Sequence, residues 1–289
     1  MKKTIFLVTF AFGITGAFAQ DASGLTSKKG EPILPEKGDW ALGIDAAPIL
    51  NYIGNFLSSS GNNKAPTWGT PTNNNLSITG KYFKDEKTAY RAMVRIGFGS
   101  TKFDNFQLDQ TNTVTGTQPQ VTDTRTVSQH NIVLGAGIEK RKGKTRLQGY
   151  YGGMLMIILV GSDTTNSYGN AMNNTYPNPP STNWSSGTVT SGTRITQNKA
   201  GSGFGIGLRA FIGAEYFILP KIAIGAEFGW GLVILNAGDG SVTKESLDAN
   251  GKEQLVTQKT GGAKYTGLDT DVNHVQLMPT GTLNLTMHF

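Results

Sequence analysis

The 289-residue chain contains no cysteine. That absence removes disulfide scaffolds, thiolate metal sites, cysteine nucleophiles and a lipid-modified N-terminal cysteine. Charge is scarce too, at 16% Asp, Glu, Lys and Arg against roughly 25% in average proteins. Mean hydropathy is −0.24, and past the first residues no run approaches the ~20 apolar residues that a spanning helix needs. The formal net charge is +6. Lys2 and Lys3 belong to an apparent leader, which leaves 24 Lys and Arg against 20 Asp and Glu, or +4. A surplus so small and dispersed gives no ground for a nucleic-acid partner. What the chain does have is glycine, 38 of them.

The start has the layout of an export leader. Lys2 and Lys3 precede a mostly apolar stretch from Thr4 to Thr15, and Ala17-Phe18-Ala19 is a small-x-small cleavage site. The expected division is a signal peptide over 1–19, a periplasmic lead-in over 20–37 and one domain over 38–289. Pro32 and Pro35 deny the lead-in regular structure, and it is read as a tether.

From Asp39 the hydrophobic pattern has period two, the signature of strands with unlike faces. Eight such runs occur: 40–47, 76–83, 90–99, 131–139, 147–159, 204–216, 222–232 and 280–289. Connections at 84–87, 141–144 and 219–221 are short, whereas those at 54–73, 102–126, 161–201 and 236–272 are long and rich in Asn, Thr, Ser and Gly. Short and long alternate strictly, so all long connections fall at one end. The expected fold is all-β: an eight-stranded antiparallel transmembrane β-barrel with four long extracellular loops and short periplasmic turns.

One face of each run is aliphatic and almost free of charge, which suits hydrocarbon. Aromatics sit toward its two ends: Trp40, Tyr82, Tyr90, Tyr216 and Phe289 at the turn end, Phe98, Phe204 and Trp230 toward the long connections. That is the expected pair of interfacial girdles. The opposite face is Gly, Ala, Ser and Thr with eight ionisable residues, the acids Asp45, Glu139, Glu215 and Glu227 and the bases Lys81, Arg91, Arg95 and Arg209. An eight-stranded barrel encloses space just large enough for side chains, and equal numbers of buried acids and bases predict mutual pairing. A salt-bridged plug and a polar path for ions are the two readings of that lumen, the plug being favoured.

These features together resemble the small bacterial outer-membrane barrels of the OmpA, OmpX and OmpW type. The ending Thr282-Leu283-Asn284-Leu285-Thr286-Met287-His288-Phe289 is similar to the signal read by the barrel-assembly machinery, and the hairpin over 214–229 to a penultimate hairpin of such proteins. The resemblance covers 38–289 and lacks the periplasmic C-terminal domain of OmpA. It implies an outer-membrane location with loops extracellular and both termini periplasmic, contact with outer-membrane lipid and lipopolysaccharide, and no cofactor. It also implies a surface-exposed structural or interaction role toward an unknown surface partner. The alternative is a narrow porin-like channel for ions or small solutes.

Catalysis is not expected. His288 lies at the turn end; His130 faces outward by parity and is read without a serine partner; His274, near Asp269 and Asp271, is an inward rim group. No His, Asp and Glu cluster has metal-ligand spacing. Lys140, Arg141, Lys142, Lys144 and Arg146 form a basic turn expected to meet anionic headgroups. Asp163-Thr164-Thr165, at the head of the longest loop, resembles a short O-glycosylation signal of some didermal bacteria, with Thr164 as the acceptor.

Overall fold

The computed structural model describes residues 25–46, 49, 52–53, 78–112, 119–186, 189–190, 192–270 and 282–289. The leader at 1–19, the long connection at 54–73, and Asp271 and His274 lie outside them. The elements in chain order are β1 (Trp40–Asp45), β2 (Ile78–Asp85), β3 (Thr88–Leu108), β4 (Gln120–Lys142), β5 (Leu147–Ser167), β6 (Ser181–Thr182) and β7 (Val189–Thr190). They continue with β8 (Arg194–Lys199), β9 (Gly203–Leu219), β10 (Ile222–Ala237), β11 (Gly240–Leu247), β12 (Glu253–Thr260), β13 (Ala263–Thr270) and β14 (Thr282–His288).

Eight of these strands close on themselves. β1 pairs β2, β2 pairs β3, and the ring runs on through β4, β5, β9, β10 and β14 back to β1, every pairing antiparallel. Closure is sealed where Trp40 and Phe289 exchange backbone hydrogen bonds, each 2.8 Å. All eight expected strands are present. The tight turns lie at 86–87, 143–146 and 220–221. Gly143 sits at φ +127° with an imagined Cβ 2.9 Å from the Leu147 carbonyl, so only glycine is tolerated there.

Parity sorts the two faces as expected. Outward side chains of the ring are exposed aliphatics and aromatics, including Leu42, Ile96, Leu155, Ile206, Leu208, Ile212 and Ile234. The inward face is not only small and ionic. Met93, Val133, Tyr150, Met154, Met156, Ile158, Phe211 and Val233 form a buried apolar cluster, which on β4, β5 and β10 lies farther from the turns than the polar residues Glu139, Gln148 and Glu227. Inward glycines make room for this filling. A Cβ at Gly213 would stand 2.4 Å from the Tyr150 ring, and one at Gly229 would stand 2.9 Å from the Arg209 guanidinium.

The lead-in is not a loose tether. Thr26 and Pro32 form a β-bridge, the Lys221 amide donates to the Ile33 carbonyl at 3.1 Å, and Ile33 packs on Phe217 and Ala223 with Leu25 and Leu34 beside it. The prolines exclude it from the ladder without keeping it from burying its three aliphatic side chains.

The regions 102–126, 161–201 and 236–272 differ most from expectation, because strands run deep into them. The β3–β4 ladder continues to Leu108↔Gln120. Beyond Val160 β5 leaves β9 and takes β8 as its neighbour from Asp163↔Lys199; β11 then pairs β8 and β12 pairs β11. β13 lies along the far half of β10. Thr-rich sequence has good strand propensity, but here both faces are largely polar and the apolar residues, such as Phe103, Phe106, Leu255 and Val256, fall on either parity, so the period-two signal vanishes although the strand does not.

Candidate functional site

Three carboxylates and four cations meet inside the ring. Glu227 on β10 takes Arg91 from β3 at 2.5 Å and Arg209 from β9 at 2.6 Å. Arg91 also stands 3.6 Å from Glu139 on β4. Glu139 receives Lys81 from β2 at 3.1 Å and Arg141 at 2.7 Å. The same two cations reach Glu215 on β9, Lys81 at 2.6 Å and Arg141 at 2.7 Å. Every member is buried, and five ring strands are thereby tied to one another across the interior.

Aromatic rings complete the cage. The Arg91 guanidinium lies 4.4 Å from the Phe211 ring centre and the Lys81 ammonium 4.7 Å from that of Tyr150, positions where a ring face attracts a cation. Toward the turns, the His288 ring packs between Phe83 and Phe217, at 5.4 and 5.2 Å between centres. Leaving any one charge of such a group without its partner costs several kcal/mol, so the cluster fixes strand register as well as filling space.

Of the eight residues expected in the lumen, this constellation joins Lys81, Arg91, Glu139, Arg209, Glu215 and Glu227. Asp45 and Arg95 are also buried on the inward face, at other points of the wall. Arg141 is a correction. Expected to meet headgroups from a basic turn, it is buried at 3% exposure and bonds Glu139, Glu215 and Gln148. β4 does not end at Glu139 but reaches Lys142, and two further residues of the same parity bring Arg141 inward. Arg146 is likewise turned to protein, donating to the carbonyls of Phe217 at 2.9 Å and Ile218 at 3.2 Å; Lys140 and Lys142 remain exposed.

The residues expected as aromatic girdles, Trp40, Tyr82, Tyr90, Phe98, Phe204, Tyr216, Trp230 and Phe289, are all exposed on the outward face. Above Phe98 that face changes character. In register on β3, β4, β5 and β8 stand Ser100, Ser128, Asp163 and Lys199, then Lys102, Thr126, Thr165 and Gln197.

On the inward face of this raised wall the segment 168–186 is folded down and held. The Asp123 carboxylate accepts from the amides of Gly169 at 2.9 Å and Thr182 at 2.7 Å. Asn170 donates to the carbonyls of Leu108 and Pro180 at 2.9 and 3.0 Å. Arg194 forks onto Glu245 at 2.8 and 3.0 Å, donates to the Ser181 hydroxyl at 2.7 Å and stacks 4.4 Å from the Tyr168 ring. Burial pushes the Tyr168 phenol up to about 12, and hydrogen bonds from the Thr111 hydroxyl and amide hold Asp109 below its ordinary value. Thr164 is placed within β5, paired with Val127 and Asn198, not at the head of a loop.

His130 carries a second correction. Ser128 lies two residues before it on the same strand face, a spacing the sequence already displays, and both line one outward cleft with Asp163. The Ser128 hydroxyl donates to the Ser100 hydroxyl at 3.3 Å, while the His130 ring lies 6.3 Å from that of Phe98. Among the described residues no group of three His, Asp or Glu is arranged to hold a metal ion. No protein-family model matches the chain, and no curated protein matches it.

Proposed function

We propose that the chain is an integral outer-membrane β-barrel protein of the small eight-stranded kind, serving at the cell surface through the wall that rises above its membrane band. The observation that carries this reading is the stratified outward face. Between Tyr90 and Phe98 β3 shows hydrocarbon-compatible side chains, all exposed at Tyr90, Val94, Ile96 and Phe98. That interval rises roughly 27 Å along the strand at ~3.4 Å per residue, or about 21 Å along the axis at a tilt near 40°, a little short of the ~25 Å apolar band of such barrels. Above it the next outward rows are hydroxyl, amide and charge, up to the exposed Phe106 and Leu108 at the far end of β3. β3, β4 and β5 have 21, 23 and 21 residues, about twice the 9–11 that a tilted spanning strand uses. The surplus forms a rigid polar platform suited to contact with a surface partner. The alternating strand β14 (Thr282–His288), with Leu283 and Met287 exposed outward, supports delivery by the barrel-assembly machinery.

A conducting pore is less well supported. The interior is filled by a paired ionic cluster and by apolar side chains that interlock with it, a filling that leaves poor passage for ions and water. The test is refolding of residues 20–289 with and without detergent, followed by insertion into vesicles and external protease. Folding only in detergent, with cleavage confined to segments beyond the Phe98–Phe204 level, is expected. A monodisperse folded species in plain buffer would overturn the membrane reading, and cleavage between β4 and β5 in sealed vesicles would overturn the orientation.

A further inference from the structure

Beyond Val160 the inward face of the wall is no longer filled. A row in register through Thr101, Val127, Thr164, Asn198, Val242 and Gln258 is half-buried or exposed at every position. The next row brings Phe103, Arg125 and Asn166 side by side. The Phe103 ring is 50% exposed, and Arg125 is half-buried. Among the described residues Arg125 has no carboxylate partner; a terminal nitrogen makes one long hydrogen bond, to the Trp184 carbonyl at 3.3 Å, and its Nε is buried without a partner. The Trp184 indole N–H and the Asn166 Oδ1 are buried without partners too, Asn166 being only 8% exposed. Asp123, two residues along the same face, has its carboxylate taken by the Gly169 and Thr182 amides. Two donors and an acceptor at one corner are thus left unpaired, at a cost in free energy that a partner from outside the chain would remove.

We propose that this corner of the wall binds an acidic sugar by its carboxylate, entering from the open end. A carboxylate meets the edge of a guanidinium through two parallel charge-assisted bonds, which replace the single weak contact to the Trp184 carbonyl. Release of that contact frees the indole N–H to donate to the same ligand, while the Asn166 Oδ1 accepts from a ring hydroxyl. A bare carboxylate would satisfy Arg125 and leave the rest of the corner unused. A sugar ring also lays its apolar face on Phe103 and turns its hydroxyls toward Thr164 and Asn198. Because the ring of strands below is filled, the site captures its ligand and does not pass it on. It needs only the fold, and so stands apart from the membrane reading.

The probe is D-galacturonate, with D-galactose and acetate as the other arms, titrated onto the isotopically labelled refolded chain in micelles. The readout is the indole N–H resonance of Trp184, identified by its loss in Trp184→Phe. A saturable shift with galacturonate is expected. Galactose on the native chain, and galacturonate on Arg125→Gln, should each bind at least roughly tenfold more weakly, the share of a bidentate charge-assisted contact. Arg125→Lys, which keeps the charge and loses the fork, should recover part of that loss, and Phe103→Ser should weaken binding severalfold by removing the apolar floor. Folding of each variant is read from the mobility difference between unheated and boiled samples. Absence of any shift means that the three groups hold an ordered water only, and overturns the proposal. Galactose bound as tightly overturns the carboxylate, acetate bound as tightly overturns the sugar, and binding unchanged by Arg125→Gln overturns the site. Should the chain fold without micelles, the titration is run in plain buffer with the same expectations, so that the membrane reading fails while the site stands or falls on its own.

Discussion

At the residue scale the buried ion cluster is the feature most exposed to test. Glu227 holds both Arg91 and Arg209, so Glu227→Ala leaves two guanidinium groups facing each other in the interior. The expected loss is about 3–5 kcal/mol, the usual cost of breaking a buried ion pair on one side, read as a fall in the urea midpoint of the vesicle-refolded protein. A midpoint unchanged within error would mean that water reaches these groups and that the lumen is wetter than its packing implies. Which residues enter the cluster was legible from alternation alone for Lys81, Arg91, Glu139, Arg209, Glu215 and Glu227, since a strand that shows hydrocarbon on one side must place its charges on the other. Arg141 was not, because the lysines around it look like a solvated turn; parity carried past Glu139 would have found it. Ser128 is equally visible in the sequence, two residues before His130 and so on the same strand face.

At the element scale, strands with one aliphatic and one small or ionic face announce themselves, and strands polar on both faces do not. β9 and β10 alternate Gly, Ala and charge with Ile, Leu and aromatics, so their extents were readable to within a few residues. β8, β11 and β12 carry polar side chains on both faces, and β12 is exposed throughout; only the hydrogen-bond ladder defines them. The segment over 168–186 was illegible for another reason, since its order comes from long-range polar contacts that no local pattern encodes. Asp123 is the keystone, lying 46 and 59 positions from the amides it binds. Asp123→Ala removes two hydrogen bonds to a charged group, each contributing about 1.5–3 kcal/mol. Cleavage of 168–186 by a nonspecific protease should then speed up at least tenfold, while the folded gel mobility of the ring persists. An unchanged cleavage rate would show that the segment is held by its remaining contacts, the Asn170 and Arg194 bonds and the buried Met172, and not by Asp123.

At the scale of the whole molecule three groups of side chains fill the interior. Ile33 and its neighbours pack at the turn end, the ion cluster crosses the middle, and the cluster of Met93, Met156 and Val233 interlocks with it and on β4, β5 and β10 extends beyond it. If each group is sufficient alone, removing one leaves a tight wall. Deleting residues 20–36 should therefore lower the urea midpoint, because Phe217 and Ala223 lose their cover, yet leave a planar bilayer silent at any voltage the membrane tolerates. The barrier around Met93, Met156 and Val233 is mixed: Arg95 stands in register with Val133 and Arg209 with Met154, so an ion meets buried guanidinium groups beside apolar side chains that do not repay its desolvation. Changing the apolar side chains as well, as Met156→Ser with Val233→Ser in the chain without its lead-in, should still leave the bilayer silent because the buried ion cluster is untouched; small currents are expected only when Glu227→Ala is added. Sustained channels in the unaltered protein would contradict this ordering and return the lumen to the polar-path reading; currents from the lead-in deletion alone would place the gate at the turn end, with Ile33 as its latch.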